Sequence, residues 1–318
     1  MATDFADRPL FEFTADVPPV PLAPAIAEAR AVATDVARTL LAIPDGFLDE
    51  PWQWERGEIE LRYAFYRCFE LFEAAEAAVR GAVAAAGAGS GPSRAAQLIG
   101  PATAACWDLK ALLMPLGDEI DADPGGGEWT IRRTLGHLVN GQRAYGWGGA
   151  WWQAQAFAAD DPAIPPGAPE SIIDSLPDEE ADEAAGSLDE IVGRLDAILD
   201  LGSERLAGLP DERLDRGARW SGLPVDIAFR LGRWSSHIRE HTIQVDKTLA
   251  MIGRAPTEAE RMVRVVLAAY GRAEAIVFAR PEAEIGRATT VLLGAAQRAQ
   301  ATAVAARAAA DERAGSAG

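Results

Sequence analysis

The feature that most constrains this chain is a repeated stop. A run of apolar residues at helical spacing ends in a cluster of proline or glycine with acids, and a second apolar run begins. Leu22 to Ile43 runs into Ile43-Pro44-Asp45-Gly46-Phe47-Leu48-Asp49, and Ser187 to Leu209 runs into Leu209-Pro210-Asp211-Glu212-Arg213-Leu214-Asp215. Ala95 to Leu116 ends similarly in Gly117-Asp118-Glu119-Ile120-Asp121. Such clusters terminate helices. The second helices are expected over 57–83, 130–157 and 224–252, followed by two more over 257–279 and 282–310. Within the third pair, Leu188, Ile191, Val192, Leu195, Ile198 and Leu199 recur at three- and four-residue steps, which marks a one-faced helix. Ser187 with Glu190 and Thr257 with Glu260 read as capping boxes. Alanine, the best helix former, dominates 74–86 and 295–310, and β-branched runs are scarce. The chain is therefore expected to be all-α and built from repeated helix pairs.

The expected organisation is an irregular lead-in (1–21), an N-terminal helix pair (22–90), a central four-helix bundle (94–253), and a C-terminal helix pair with its tail (256–318). The long acidic, proline-bearing linker 160–186 is expected to cross between pairs, with Asp178 to Glu183 as a solvated loop. Gly57-Glu58-Ile59-Glu60-Leu61-Arg62 aligns with Gly127-Glu128-Trp129-Thr130-Ile131-Arg132, which places Arg67 where His137 stands. Because arginine stays protonated and cannot ligate a metal, the N-terminal half is expected to be structural, a cover, or the surface of a homodimer.

The formal net charge is −18, from 48 acidic and 30 basic residues, so phosphate backbones and anionic membrane surfaces are repelled and no nucleic acid is expected as partner. No apolar stretch is long enough for a membrane span, and the first 24 residues lack the apolar core of a signal peptide. Two cysteines, Cys68 and Cys106, fit a reducing compartment, so the expected location is cytoplasmic.

The chain has three histidines. His237 and His241 are four apart and share one face of a helix. His137 lies on the second helix of another pair. If those helices face each other across a bundle, three imidazoles meet and leave a coordination position open, as a catalytic site requires. The plainer alternative is a core histidine and an unrelated solvated pair. Helical spacing puts Arg133 one turn before His137 and Asn140 one turn after. It puts Gln244 and Arg233 on the face of His237. Asn140 and Gln244 are candidates to orient an imidazole or hold substrate, and Arg133 and Arg233 to bind an anion; each has a surface role as its alternative. Glu240 completes His-x-x-Glu-His, the order of a metalloprotease family, but the sequence beyond Gly253 lacks a matching acidic ligand. The cluster Tyr145, Trp147, Trp151 and Trp152 reads as core packing, with a pocket wall as alternative. Trp129 and Trp220 are expected to cap the bundle.

Over about residues 94–253 this pattern resembles the DinB-like family of metal-binding four-helix bundles. The resemblance rests on Gly127-Glu128-Trp129-Thr130-Ile131-Arg132 followed by Leu135 and His137, and on His237, His241, Thr242 and Gln244. It implies one divalent metal ion (Zn, Ni or Fe) on His137, His237 and His241. It also implies a metal-dependent enzyme acting on a small-molecule substrate, with a low-molecular-weight thiol as cosubstrate, in the manner of thiol S-transferases or mycothiol-dependent maleylpyruvate isomerase. Two other readings stand beside it: a non-catalytic stress-response protein stapled by metal, and a helical assembly module that binds none.

Overall fold

The computed structural model describes residues 7–86 and 93–316. The first six residues of the lead-in, positions 87–90 of the N-terminal pair and the last two of the tail lie outside the described residues. Among the described residues twelve α-helices follow in order: α1 (Arg8–Phe13), α2 (Pro24–Leu41), α3 (Arg62–Ala85), α4 (Arg94–Ile99), α5 (Pro101–Leu113), α6 (Ile131–Gln155), α7 (Glu170–Ile173), α8 (Leu188–Leu206), α9 (Asp211–Leu214), α10 (Ile227–Met251), α11 (Glu258–Ala275) and α12 (Glu282–Ser316). The fold is all-α apart from two small hairpins, β1 (Pro51–Trp54) with β2 (Gly57–Glu60) and β3 (Gly217–Trp220) with β4 (Leu223–Asp226).

Two hydrophobic cores organise these helices. One lies among α5, α6, α8 and α10, with α1 and α4 packed onto it. The other lies among α2, α3, α11 and α12, so the N-terminal and C-terminal pairs close on each other as a second bundle. Both expected capping boxes are formed, at Ser187–Glu190 and Thr257–Glu260. The helix expected over 95–116 breaks between Ile99 and Pro101. Proline cannot donate to the preceding turn, and a Cβ on Gly100 would stand 2.9 Å from the Ala275 carbonyl. The lead-in is more ordered than its prolines imply. Leu10 and Val17 are buried in the first core, and Arg205 donates to the Thr14 carbonyl at 2.9 Å.

The hairpins correct the alignment made from sequence. Trp54 pairs with Gly57 and Trp220 with Leu223. The turn residues Glu55 and Ser221 share a left-handed conformation, φ 51° and 49°. Ile43-Pro44-Asp45 stays in step with Leu209-Pro210-Asp211 through both hairpins and into the helices that follow. The counterpart of α3 is thus α10, not α6. Arg67 corresponds to Arg233, while Leu71 and Ala75 stand where α10 carries His237 and His241. Residues 57–60 are strand because they pair with β1, whereas Thr130 caps α6 directly by accepting from the Arg133 amide.

The bundles are joined through a buried carboxylate. Glu274 on α11 is fully buried. It accepts from Arg30 on α2 at 2.9 Å, and from Thr103 and Trp107 on α5 at 2.6 and 2.9 Å. Arg30 also holds Asp200 on α8 at 2.8 Å. Burial alone would push the Glu274 carboxyl up, but Arg30 and Thr103 outweigh it and hold the carboxyl below its ordinary value.

Candidate metal centre

Helices α6 and α10 cross so that His137, His237 and His241 converge, each offering one nitrogen, with all three nitrogens within 4.8 Å of one another. Gly141 makes the crossing close. A Cβ there would stand 2.6 Å from the His237 ring. The His237 and His241 Nε2 atoms are 3.0 Å apart. Tetrahedral ligation at about 2.0–2.1 Å separates donor nitrogens by roughly 3.3 Å, so only small side-chain rotations bring all three onto one ion.

The groups behind the imidazoles fit the same purpose. His241 Nδ1 lies 2.9 Å from Gln244 Oε1, an acceptor, so Nδ1 carries the proton and Nε2 presents its lone pair. His137 Nδ1 lies 3.1 and 3.2 Å from the two Glu179 carboxylate oxygens, with the same consequence. Gln142 Nε2 lies 3.3 Å from both His237 Nδ1 and the Trp234 carbonyl, while its Oε1 is buried without a partner. In this orientation Gln142 donates to His237 Nδ1, and the His237 Nε2–H bridges to His241. With the amide turned over, Oε1 accepts from Nδ1–H and Nε2 is freed for an ion.

Electrostatics favour the unprotonated form of His237 and His241. His237 and His241 are 6% and 9% exposed. Burial, then the neighbouring imidazoles and Arg233, push His237 down to about 3. Burial likewise lowers His241, although Gln244 pulls the other way. Neutral imidazole is the form that ligates a metal.

The other expected residues divide. Gln244 sits on His241. Asn140 instead donates to the Pro177 carbonyl at 2.7 Å and fixes the linker. Arg133 pairs with Glu180 at 3.4 Å and stacks 4.8 Å above Trp129, whose ring is 5.2 Å from His137. Arg233 bonds Glu240, donates to Ser236 at 2.9 Å and lies 5.0 Å over Trp220. Glu240 is spent on that ion pair and is half exposed. Of the aromatic cluster, Trp147 and Trp152 are core, whereas the Tyr145 ring packs 5.1 Å from His237.

Glu179 and Gln142 were not singled out in the sequence. Glu179 falls in the segment expected to be a solvated loop, and there the structure differs. Asp178 caps a turn of π-helix over Glu179–Glu183 by accepting from Glu180 and Ala181. Glu183 is buried against Arg143 at 2.7 Å. A Cβ on Gly136 would run into the Glu179 carbonyl, so that glycine admits the acidic turn to α6. The signal was Gly136 beside His137, an invitation to close approach.

No cysteine joins the site. Cys68 and Cys106 are buried and unbridged, and burial drives the Cys68 thiol up to about 12 and raises Cys106 as well. A cavity of about 1080 Å³ lies between the bundles beside Lys110 and Asp196, and none of the three histidines lines it. No described helix is long and apolar enough to cross a membrane.

Residues 108–245 match the DinB superfamily, a stretch that includes all three histidines and leaves out α2, α3, α11 and α12. No curated protein and no solved structure matches the chain. The three histidines thus all lie within the stretch that is similar to the DinB superfamily.

Proposed function

We propose that this protein is a metal-dependent enzyme acting on a small molecule, with His137, His237 and His241 holding one divalent ion, Zn, Ni or Fe. The observation that carries this reading is the division of labour around the rings. Glu179 and Gln244 engage the outer nitrogens of two imidazoles, and the remaining nitrogens converge on one point. A bound ion supplies Lewis acidity, lowering the pKa of a coordinated water or thiol. Glu179 and Gln244 fix tautomer and ring orientation. Gln142 accepts or donates at His237 according to whether Nε2 carries a proton. Trp129 and Tyr145 keep water from the flanks of His137 and His237. Burial holds both cysteines as thiols, so neither offers a thiolate to the site. The finer form of the proposal, a low-molecular-weight thiol S-transferase, rests on the family resemblance of residues 108–245.

Elemental analysis of the protein and of His137→Ala, followed by thiols assayed against electrophiles, tests it. One ion per chain, lost in the variant, with metal-dependent thiol consumption is the expected result. No ion after reconstitution with Zn, Ni and Fe overturns it. The burial of His237 and His241 favours one second reading, an ion that only staples the bundle. Full metal content with no exchange of coordinated water or thiol would select that reading.

A further inference from the structure

Next to the histidines, Tyr145 separates the metal centre from a cavity of about 280 Å³. Its wall is aromatic, with Trp147, Trp152 and Trp220, and its charged lining is Arg219 and Arg230 with no carboxylate. That lining is unexpected in a chain of net charge −18. Arg230 is 8% exposed. Its Nη1 donates to the Arg219 carbonyl at 2.5 Å, but its Nε is buried with no partner. Among the described residues the Arg219 guanidinium reaches the Ile164 carbonyl, at 3.4 Å. Burial of Arg230 without a counter-ion lowers its pKa to about 10. Most buried charges are paired, because an unpaired one carries its full desolvation cost. Elsewhere this chain follows that rule, as Arg30 on Glu274 and Arg143 on Glu183 show. Gly148 is part of the same construction, since a Cβ there would occupy the place of the Arg230 guanidinium.

We infer that this cavity binds a small, flat carboxylate, its anionic group on the Arg230 guanidinium and its ring against Tyr145 and Trp220, the partly exposed aromatics of the lining. A guanidinium takes a carboxylate through two parallel hydrogen bonds, and an aromatic face suits a planar ring. The volume lies near the lower end of ligand pockets, about 300–1,000 Å³, so a single ring fits and a long thiol cosubstrate does not. Tyr145, which accepts from Trp220 Nε1 at 3.4 Å, would place such a ligand beside His237. The assignment of the ligand as substrate rests on the metal-dependent reading above; its binding does not.

The test uses full-length protein at pH 7, with benzoate and phenylacetate compared against benzamide and phenylacetamide by calorimetry and by quenching of tryptophan fluorescence. In the wild type the acids should bind about tenfold tighter than the amides. Arg230→Met should abolish that preference, and Gly148→Ala, which displaces the guanidinium while keeping its charge, should weaken it. Equal binding of acids and amides, no binding by any probe at millimolar concentration, or an unchanged preference in Arg230→Met overturns the inference. Metal is counted on the same samples. Protein that stays metal-free after reconstitution with Zn, Ni and Fe yet prefers the acids sinks the metal reading and supports this one; fully loaded protein without the preference does the reverse.

Discussion

The two bundles share a stop, a hairpin and a helix register, yet one is polar inside and the other is not. In the outer bundle, α12 lays Ala295, Ala296, Ala299, Ala303 and Ala306 against α2 and α3, all fully buried. In the inner bundle, α6 and α10 bury histidine, glutamine, threonine and arginine. Position by position, Ala64, Leu71 and Ala75 of α3 become Arg230, His237 and His241 of α10. The frame does not dictate a metal centre. It tolerates either a zipper of small side chains or a site whose buried polar groups are mostly hydrogen-bonded. The outer bundle serves as an apolar buttress, coupled to the inner one through Glu274.

The largest effect should come from erasing the difference. His237→Leu with His241→Ala gives α10 the residues of its counterpart. Metal content by elemental analysis should fall from one ion to none, while circular dichroism stays helical. Second is the coupling itself. Glu274→Ala leaves Arg30 buried beside Asp200 alone and should cost about 3–5 kcal/mol in urea unfolding. A single transition with unchanged midpoint would show that the bundles do not depend on this contact.

The converse graft is smaller. Leu71→His with Ala75→His should bind no second ion beyond that of the intact inner site, because α12 has no histidine to complete the set. It should destabilise by about 1–3 kcal/mol per unpartnered imidazole. A gained ion would mean that the frame alone makes the site. The gentlest probe is pH. His237 titrates near 3 in the folded protein, against an ordinary 6.5. Between those values the unfolded chain binds a proton that the folded chain refuses. Metal-free wild type should therefore lose stability as pH falls from about 6.5 toward about 3 and vary little with this group above 7. The His237→Leu/His241→Ala variant should lose this slope, as read from melting temperatures across that range.

Much of the frame was legible. Apolar spacing, stop clusters and two capping boxes locate the long helices to within a few residues, because these signals are local. The hairpins were not read, since four-residue strands hold together only by pairing with each other. Missing them shifted the alignment, so Arg67 was set against His137 instead of Arg233. The convergence of His137 with His237 and His241 was anticipated from helix faces. The groups behind the rings were legible only where spacing reveals them. Gln244 is one turn from His241. Glu179 arrives from the linker through the gap at Gly136, a tertiary contact without periodicity.

The order of helices has a consequence for synthesis. On the ribosome α2 and α3 emerge early, but their partners α11 and α12 come only after the whole histidine bundle has been made. Domains generally acquire structure as their residues appear. The inner bundle can therefore assemble while Phe65, Phe72 and Val79 of α3, destined for a dry core, still lack their cover. The outer core is a late, long-range closure, which makes it the slow part of folding and the stage most exposed to misassociation.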